Sequence, residues 1–322
     1  MELSIIIPVH NAEKFLTRCL NSVIFALEFA GLAEISEAGE ITAAKAEILL
    51  IENDSTDRSR DLCLQYAEKY PLAVKVFECQ GGASRARNLG AQTATGNYIW
   101  FIDADDAIEM NAVLDLMTVA KNTDADLVMM GMKRIYSATH SDYLSAVIPS
   151  DPNFRSRFVR YGAGPCQFLI KREWWLKNNF TFREGIIHED MELISSLILY
   201  TNKFAGVDEP LYLYYQNPNS VLHQKTFNPH IFDIFPALEG LYERFRAAGA
   251  EKEFHDELEW FFIWNLLIDS AKDFGQFPEG KPGYARARKM LKKYFPQWRK
   301  NKFYKKKSLK FRMKCLLNYS II

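Results

Sequence analysis

Cysteine is scarce in this sequence and never occurs in closely spaced pairs. The 322 residues contain five cysteines, Cys19, Cys63, Cys79, Cys166 and Cys315, without a CxxC motif. An odd number of scattered cysteines argues against a disulfide framework and against the usual zinc-binding spacings. The pattern is typical of reduced thiols, and we therefore expect a cytoplasmic protein.

Long apolar runs are also missing. The chain nowhere has the ~18 consecutive apolar residues that a spanning helix requires. The N-terminal segment MELSIIIPVHN enters a strand-like run at once, without a basic start and a cleavable apolar stretch. We expect neither a transmembrane helix nor a signal peptide.

Acidic residues are absent from the last part of the chain. The 40 Lys and Arg balance the 40 Asp and Glu overall, but residues 281–322 hold 15 Lys or Arg and no acid. In this tail, Leu309, Met313 and Leu316 lie on one predicted helical stripe beside lysines. Such a helix either binds an anionic membrane surface or packs on the body with a solvated basic face. No nucleic-acid-binding module accompanies the charge, so we expect no nucleic acid partner.

Strand-like and helix-like segments alternate over the first 130 residues or so, which indicates an α/β fold with a mostly parallel sheet flanked by helices. Predicted strands are Leu3–Val9, Glu47–Glu52, Val74–Glu78, Tyr98–Ile102 and Asp126–Met132. Predicted helices are Ala12–Phe29, Thr56–Tyr70, Ser84–Thr93 and Asn111–Lys121. Residues 31–46 read as a surface insertion, residues 135–158 as mostly loop, and residues 226–322 as a helical C-terminal region.

An acidic cluster follows the strand-like segment YIWFI. Asp103 and Asp105 are two residues apart, so in extended backbone their side chains would point the same way, next to Asp106. Ligands of α/β sheets bind at the carboxyl ends of strands, and carboxylate oxygens suit Mg²⁺ or Mn²⁺. The alternative is that Asp103 only caps the next helix while the other two acids are solvated.

Two further polar segments follow predicted strands. In IENDSTDRS, Glu52 and Asn53 either contact a base or ribose or belong to a capped strand-to-helix turn. In GGASRARNLGA, the glycines let the backbone approach a ligand, and Arg85 or Arg87 can face a phosphate. The chain contains no Walker GxxxxGK[ST] motif, and no GxGxxG follows its first strand, which argues against nicotinamide cofactors.

The segment FREGIIHEDMELISSLILY contains an acid at a core position of its predicted helix. Helical spacing places Asp190 on the same face as the apolar residues Leu193, Ile194, Leu197 and Ile198. The neighbouring acids Glu189 and Glu192 point elsewhere. A buried carboxylate must be partnered or line a cavity, where it could act as a general base. The alternative is an acid that stabilises the helix N-terminus.

These segments, in this order, resemble glycosyltransferase family 2. The resemblance rests on SIIIPVHN, IENDSTD, GGASRARNLG, GNYIWFIDADD and FREGIIHED followed by YYQNPNSVLH, and it covers roughly residues 1–223. It implies a GT-A fold over residues 1–225. Residues 1–132 would bind the nucleotide sugar, and residues 133–225 would bind the acceptor.

The resemblance also implies an inverting transfer of sugar from a nucleotide-sugar donor to a hydroxyl of a glycan or lipid-linked acceptor, with Mn²⁺ or Mg²⁺ as cofactor. From the cysteine pattern and the basic tail, we expect the protein in the cytoplasm, on the inner face of the membrane if the tail binds lipid. The residues that it implies are Asp190 as catalytic base; Pro8, His10, Glu52, Asn53, Arg87, Asp103 and Ala104 at the nucleotide; and Asp105 and His223 at the metal.

Two positions depart from the family pattern. Members usually carry Asp where Asn53 stands and Tyr where His10 stands. Asp accepts a hydrogen bond from uracil N3, whereas Asn can accept or donate, so GDP and dTDP donors stay open beside UDP. Two other functions also stay open: a nucleotide-sugar-binding protein without turnover, and a nucleotidyltransferase. The second would need a basic glycine-rich loop after the first strand, and PVHNAEKFL is not one.

Overall fold

Residues 1–216 and 226–321 are described by the structure, a computed structural model. The chain divides into two compact units built from separate segments. The first comprises Met1–Phe154, Gly164–Gly185 and Thr201–Asn217, and the second Arg155–Ala163, Ile186–Tyr200 and Pro218–Ile322. Compact units need not be independently folding domains, so the boundary at residues 225 and 226 stays a prediction.

The strands belong to the first unit. They are β1 (Leu3–Val9), β2 (Ala33–Ile35), β3 (Ile41–Ala44), β4 (Ala46–Asn53), β5 (Val74–Cys79), β6 (Tyr98–Phe101), β7 (Ala107–Ile108), β8 (Leu127–Ser137), β9 (His140–Leu144), β10 (Phe168–Lys171) and β11 (Phe204–Tyr215).

A nine-stranded mixed sheet has the order β5-β4-β1-β6-β10-β8-β11-β7, with β9 paired to β8. Neighbours are parallel from β5 to β6 and between β8 and β11, whereas β10 runs antiparallel to both β6 and β8. All eight residues of β4 and all four of β6 are buried, because helices cover both faces. The predicted α/β class is confirmed.

The helices of the described residues are α1 (Leu16–Phe29), α2 (Ser59–Lys69), α3 (Ala83–Thr93), α4 (Ala112–Thr123), α5 (Phe154–Tyr161), α6 (Arg172–Lys177), α7 (Glu189–Leu193), α8 (Ile234–Ala247), α9 (His255–Trp264), α10 (Ser270–Gln276), α11 (Pro282–Tyr294), α12 (Lys302–Lys305) and α13 (Leu309–Ser320). Short 3-10 turns, including Ile194–Leu199, and one π-helical segment, Asn265–Asp269, connect some of them.

Aromatic packing holds the second unit together. The rings of Phe235 and Phe274 stack with centroids 5.8 Å apart, and Phe262 and Phe295 meet edge to face at 5.0 Å. Aromatic side chains remove large apolar areas from water, which stabilises the helices that carry them. The helices α8 to α13 confirm the helical character predicted after Pro229.

Two segments are more ordered than the sequence predicts. Residues 31–46 contain the hairpin of β2 and β3, and residues 135–158, predicted as mostly loop, contain the end of β8, β9 and the start of α5. The loop prediction was wrong because β9 is an exposed edge strand, which lacks the apolar alternation of a half-buried strand. None of the described helices is long and apolar enough to span a membrane.

Candidate active site

Polar residues lie at the carboxyl ends of three neighbouring parallel strands, at one edge of the sheet. β1 lies between β4 and β6, so the carboxyl ends of all three strands meet there. His10 follows β1, Asn53 ends β4, and Asp103 follows β6. In α/β sheets this edge is where ligands bind.

The end of β1 is joined to the end of β4 by side-chain hydrogen bonds. His10 Nδ1 lies 2.7 Å from the backbone oxygen of Asn53, and Asn11 Oδ1 accepts from the backbone N–H of Thr56 at 2.8 Å. The His10 side chain is exposed and Pro8 is half-buried. The two turns therefore form one surface at the sheet edge.

Glu52 and Asn53 are both buried, and their side chains hold neighbouring backbone. Glu52 Oε1 accepts from the N–H of Ser55 at 2.7 Å, as expected for a capped turn. Asn53 Oδ1 accepts from the N–H of Gly82 at 3.2 Å. Gly82 has a φ of 89°, a conformation that favours glycine, and it precedes α3. The hydrogen bond thereby holds Gly82 beside the end of β4.

Arg87 of α3 forms an ion pair with Asp103. Its Nη2 donates to Asp103 Oδ1 at 2.9 Å, and its guanidinium lies 5.6 Å from the centre of the Phe182 ring. The Arg87 side chain is nearly buried, whereas that of Asp103 is about a third exposed at 32%. A charge-assisted hydrogen bond of this kind orients both groups.

Residues 103–106 form a tight turn rather than an extended segment. The N–H of Asp106 donates to the backbone oxygen of Asp103 at 3.1 Å. Asp103 and Asp105 are half-buried, while Ala104 and Asp106 are buried. We predicted that the side chains of Asp103 and Asp105 point the same way because the backbone is extended. That reason was wrong, since side chains alternate only along extended backbone.

Asp106 is the acid of this cluster that connects the turn to the rest of the sheet. It is fully buried, its Oδ2 accepts from the Tyr212 hydroxyl at 2.6 Å, and its Oδ1 accepts from the N–H of Tyr215 at 2.8 Å. Burial and the charge of Asp103 raise the pKa of Asp106 to about 8. Both oxygens of Asp106 thus tie the turn to β11.

Arg18 of α1 supports the same turn from another direction. Its Nη2 donates to the backbone oxygen of Asp105, and its guanidinium lies 3.6 Å from the centre of the Tyr215 ring. Sequence reasoning missed Arg18, Tyr212 and Tyr215. The only sequence signal was an arginine among the core positions of α1. Helical spacing does not connect this arginine to a segment 87 residues away.

Asp190 lies in the second unit, in the first turn of α7. Its Oδ1 accepts from the N–H of Met191 at 2.9 Å, and its side chain is half-buried. The prediction that Asp190 is the acid on the buried face was wrong. Glu192 takes that position, with 6% exposure and an ion pair to Arg244 Nε at 3.3 Å.

The change of helix type explains this difference. α7 has only five residues and continues as the 3-10 turn Ile194–Leu199. A 3-10 helix has 3.0 residues per turn instead of 3.6, so the positions of Leu197 and Ile198 do not extrapolate back to Asp190. The buried face of α7 contains Glu192 and Leu193 instead.

Metal-binding chemistry is available at the acidic turn. Asp103 is paired with Arg87, Asp106 is buried and Asp105 is half-buried, and carboxylate oxygens of this kind suit Mg²⁺ or Mn²⁺. His223, the other predicted ligand, lies outside the described residues. Elsewhere in the described chain, one group, His255, Asp256 and Glu259, brings its ligand atoms within 4.8 Å of one another. There Lys302 Nζ already lies 3.1 Å from Asp256.

Comparison with known proteins places these features in a family. Residues 4–178, more than half of the chain, match the model described as "Glycosyl transferase family 2". The uncharacterized glycosyltransferase YibD of Escherichia coli (strain K12) is 29% identical over 285 residues, which cover 80% of this chain and 76% of the relative.

Solved structures share the fold. The crystal structure of S. aureus TarS 1-349 in complex with UDP-GlcNAc matches with a TM-score of 0.74 at 18% identity, covering 99% of this chain and 89% of TarS 1-349. The mannosyltransferase PcManGT from Pyrobaculum calidifontis, in complex with GDP-Man and Mn²⁺, matches with a TM-score of 0.50 at 14% identity, covering 99% of this chain and 86% of that chain. The expected GT-A fold is confirmed.

Proposed function

Because the chain belongs to glycosyltransferase family 2 and is a glycosyltransferase, we propose that it transfers a sugar from a UDP-sugar, with inversion, to a glycan or lipid-linked acceptor. The acceptor would belong to the synthesis of a cell-surface polysaccharide. The observation that carries the proposal is the meeting of His10, Asn53 and Asp103 at one sheet edge, with Arg87 paired to Asp103.

A UDP donor is supported by the likeness to TarS, whose structure contains UDP-GlcNAc. The contact of Asn53 adds a detail. Its Oδ1 is engaged by Gly82, so its NH₂ group is the part suited to a ligand. An NH₂ donor matches a carbonyl oxygen of the base rather than the N3–H of uracil.

The nucleotide is proposed to contact the residues at the three strand ends. The base would lie against Pro8, His10, Glu52 and Asn53. The ribose and diphosphate would lie against Arg87, Asp103 and Ala104. Arginine forms paired hydrogen bonds with phosphate oxygens, and a buried guanidinium already oriented by Asp103 loses little freedom on binding.

Asp105 is proposed to hold the divalent cation, with His223 as a further ligand. When bound, such an ion supplies Lewis acidity to the departing diphosphate. The protein contributes a fixed turn: the N–H of Asp106 closes it, and Arg18 holds the backbone oxygen of Asp105. Preorganised groups of this kind stabilise developing charge without reorganisation during the reaction.

Asp190 is proposed as the general base. The acceptor oxygen forms a bond to the anomeric carbon as the bond from that carbon to the diphosphate oxygen breaks, and the acceptor proton passes to the Asp190 carboxylate. The electron pair of the broken bond leaves with UDP. One displacement from the opposite side inverts the anomeric configuration. The hydrogen bond from the Met191 N–H holds one oxygen of this carboxylate in place.

The names of relatives support a proposal for the acceptor class. TarS is named a poly(ribitol-phosphate) beta-N-acetylglucosaminyltransferase, and 23% of residues are identical over 78% of this chain. We accordingly propose a hydroxyl of a surface polymer or of its lipid-linked precursor, glycosylated in the cytoplasm at the inner face of the membrane.

The test is a panel of UDP-, GDP- and dTDP-sugars, each measured for binding by calorimetry and for hydrolysis, with Mn²⁺, Mg²⁺ or EDTA. We expect one UDP-sugar to bind and to hydrolyse slowly in a metal-dependent way. Asp105→Ala should abolish the metal dependence of binding, whereas Asp61→Ala, at an exposed position of α2, should leave it intact.

Three results would contradict the proposal. They are a preference for GDP- or dTDP-sugars, donor binding that is the same with EDTA and with Mn²⁺, and an Asp105→Ala protein that behaves like Asp61→Ala. Product stereochemistry, determined by NMR with the identified donor, tests inversion separately. A retained anomeric configuration would exclude the single displacement.

A further inference from the structure

The C-terminal helix α13 is fixed to the second unit by one of its faces. Cys315 is fully buried, and Asn318 Nδ2 donates to the backbone oxygen of Leu267 at 2.7 Å. The Phe311 ring stacks on Trp264 with centroids 5.7 Å apart, and the Tyr319 ring lies 5.3 Å from that of Trp298. These contacts determine which side of the helix faces outward.

The outward side carries a row of aliphatic residues. Leu309, Met313 and Leu317, spaced four residues apart, are 67%, 48% and 63% exposed. We call these three residues the apolar stripe. The sequence predicted Leu316 in place of Leu317, but Leu316 is half-buried on the side of Cys315. Packing therefore leaves an apolar surface in solvent, where it is unfavourable unless something covers it.

Lysines without acidic partners border the apolar stripe. Lys310 and Lys314 each follow a stripe residue, and Lys306 precedes the helix; all three are exposed. None of them has a carboxylate within ion-pair distance in the described part of the chain. By contrast, Lys293 and Lys302 of the same unit are paired with Glu239 and Asp256. Among the residues that the structure describes, no carboxylate thus neutralises the positive charge beside the stripe.

We propose that the apolar stripe and Lys306, Lys310 and Lys314 bind an anionic phospholipid surface. The helix would lie parallel to the surface, with its aliphatic side chains at the boundary of the acyl chains and the ammonium groups among the lipid phosphates. This inference rests on the proposed function in one respect: a lipid-linked acceptor would give the enzyme a reason to bind a membrane.

The chemistry of the stripe favours lipid over other polyanions and over a second copy of the chain. Nucleic acids are held by aromatic stacking as well as by charge, and the aromatic residues of α13, Phe311 and Tyr319, are packed against the second unit. Two apposed stripes would bring the lysine rows of two copies together, and like charges repel. A lipid surface satisfies both the apolar and the cationic groups.

The experiment is co-sedimentation of the full chain with vesicles, measured without donor or acceptor. The vesicles are phosphatidylcholine alone or an equimolar mixture with phosphatidylglycerol. We expect binding to the mixed vesicles only, weakened by added salt. The pair Leu309→Ser and Leu317→Ser, and separately the pair Lys310→Gln and Lys314→Gln, should each weaken binding by about tenfold.

Matched controls separate the surface from general effects. Lys289→Gln with Lys292→Gln removes the same charge from exposed positions of α11, and Leu64→Ser with Leu72→Ser removes two exposed leucines from the first unit. Both control pairs should bind like the unchanged protein. Circular dichroism and thermal unfolding of every variant establish that the fold is retained.

Several outcomes would overturn the inference. They include no binding to the mixed vesicles, an equal loss in the control pairs, and unchanged binding after the leucine substitutions. Oligomerisation that requires Leu309 and Leu317, without vesicle binding, would assign the surface to a second copy instead. Calorimetric donor binding is measured on the same variants, so failure of the membrane surface and failure of the proposed function are distinguished.

Discussion

The hydroxyl of Tyr212 lies 2.6 Å from Oδ2 of Asp106 and donates to it. The same hydroxyl oxygen accepts from the N–H of Asp103 at 3.2 Å. One side chain of β11 therefore fixes both ends of the turn that contains Asp105. The buried Asp106 stabilises the turn, and the half-buried Asp103 and Asp105 are presented by it.

Tyr212→Phe should loosen this turn. Removing the hydroxyl leaves Asp106 Oδ2 and the Asp103 N–H without this partner inside the protein, which should lower the free energy of unfolding by about 1–3 kcal/mol. Tyr212 does not bind the metal itself but holds the turn that carries the proposed ligand Asp105. Its loss should therefore weaken Mn²⁺ binding in the presence of UDP by about tenfold or more. Calorimetric Mn²⁺ titration and urea unfolding measure the two effects.

The matched control is Tyr98→Phe, since Tyr98 is also buried and its hydroxyl donates to the backbone oxygen of Ala120 at 3.4 Å, away from the acidic turn. It should leave Mn²⁺ binding unchanged. If Tyr212→Phe lost stability but bound Mn²⁺ as the unchanged protein does, Tyr212 would support the fold without positioning the metal ligand.

Arg18→Lys tests the second support of the turn. Lysine keeps the positive charge but cannot reproduce the planar contact with Tyr215 together with the hydrogen bond to the Asp105 backbone oxygen. We expect kcat/KM for the donor to fall by about tenfold, mainly through KM. Arg60→Lys, at an exposed pair with Glu78, is the control. Equal kinetics for the two variants would show that the Arg18 contact is dispensable.

Asp190→Asn tests the proposed base. The amide is nearly isosteric but cannot take a proton, so transfer should fall by about 10²–10⁴-fold while calorimetric binding of the nucleotide stays unchanged. Glu189→Gln removes the neighbouring charge and should retain most of the activity. The assignment fails if Asp190→Asn transfers sugar at the rate of Glu189→Gln.

The ionisation of Glu47 should make the free energy of unfolding depend on pH. Burial opposes ionisation, but hydrogen bonds from Lys75, Ser4 and Thr95 outweigh it and lower the pKa from 4.5 to about 2. Between these two values the unfolded chain binds the proton and the folded chain does not. The stabilising contribution of Glu47 is therefore complete above about pH 4.5 and is lost as the pH falls towards 2.

Urea unfolding at a series of pH values measures this contribution. Glu47→Gln should be less stable than the unchanged protein by about 1–3 kcal/mol at pH 7, since the charged partner of Lys75 is lost. The difference between the two proteins should shrink as the pH falls below 4.5. A difference that is constant from pH 7 to pH 3 would show that the carboxylate does not titrate as expected.

Much of the first unit could be predicted from sequence because its strands are buried on both faces. β1 begins and ends where the apolar run LSIIIPV does, and β4 and β5 differ from the prediction by one residue at one or both ends. Apolar runs of strand length, bounded by turn residues, specify such strands locally. The exposed strand β9 has no such signal, and it was missed for that reason.

By itself, the sequence determined that His10, Asn53 and Asp103 each stand at the carboxyl end of a strand. The order of the strands, which brings these ends together, was decided by the tertiary structure. Only the tertiary structure decided which carboxylates are buried. Asp106 and Glu192 are bonded to Tyr212 and Arg244, which lie 106 and 52 residues away in the chain. The cost of burying a carboxylate depends on such distant partners, and local periodicity contains no information about them.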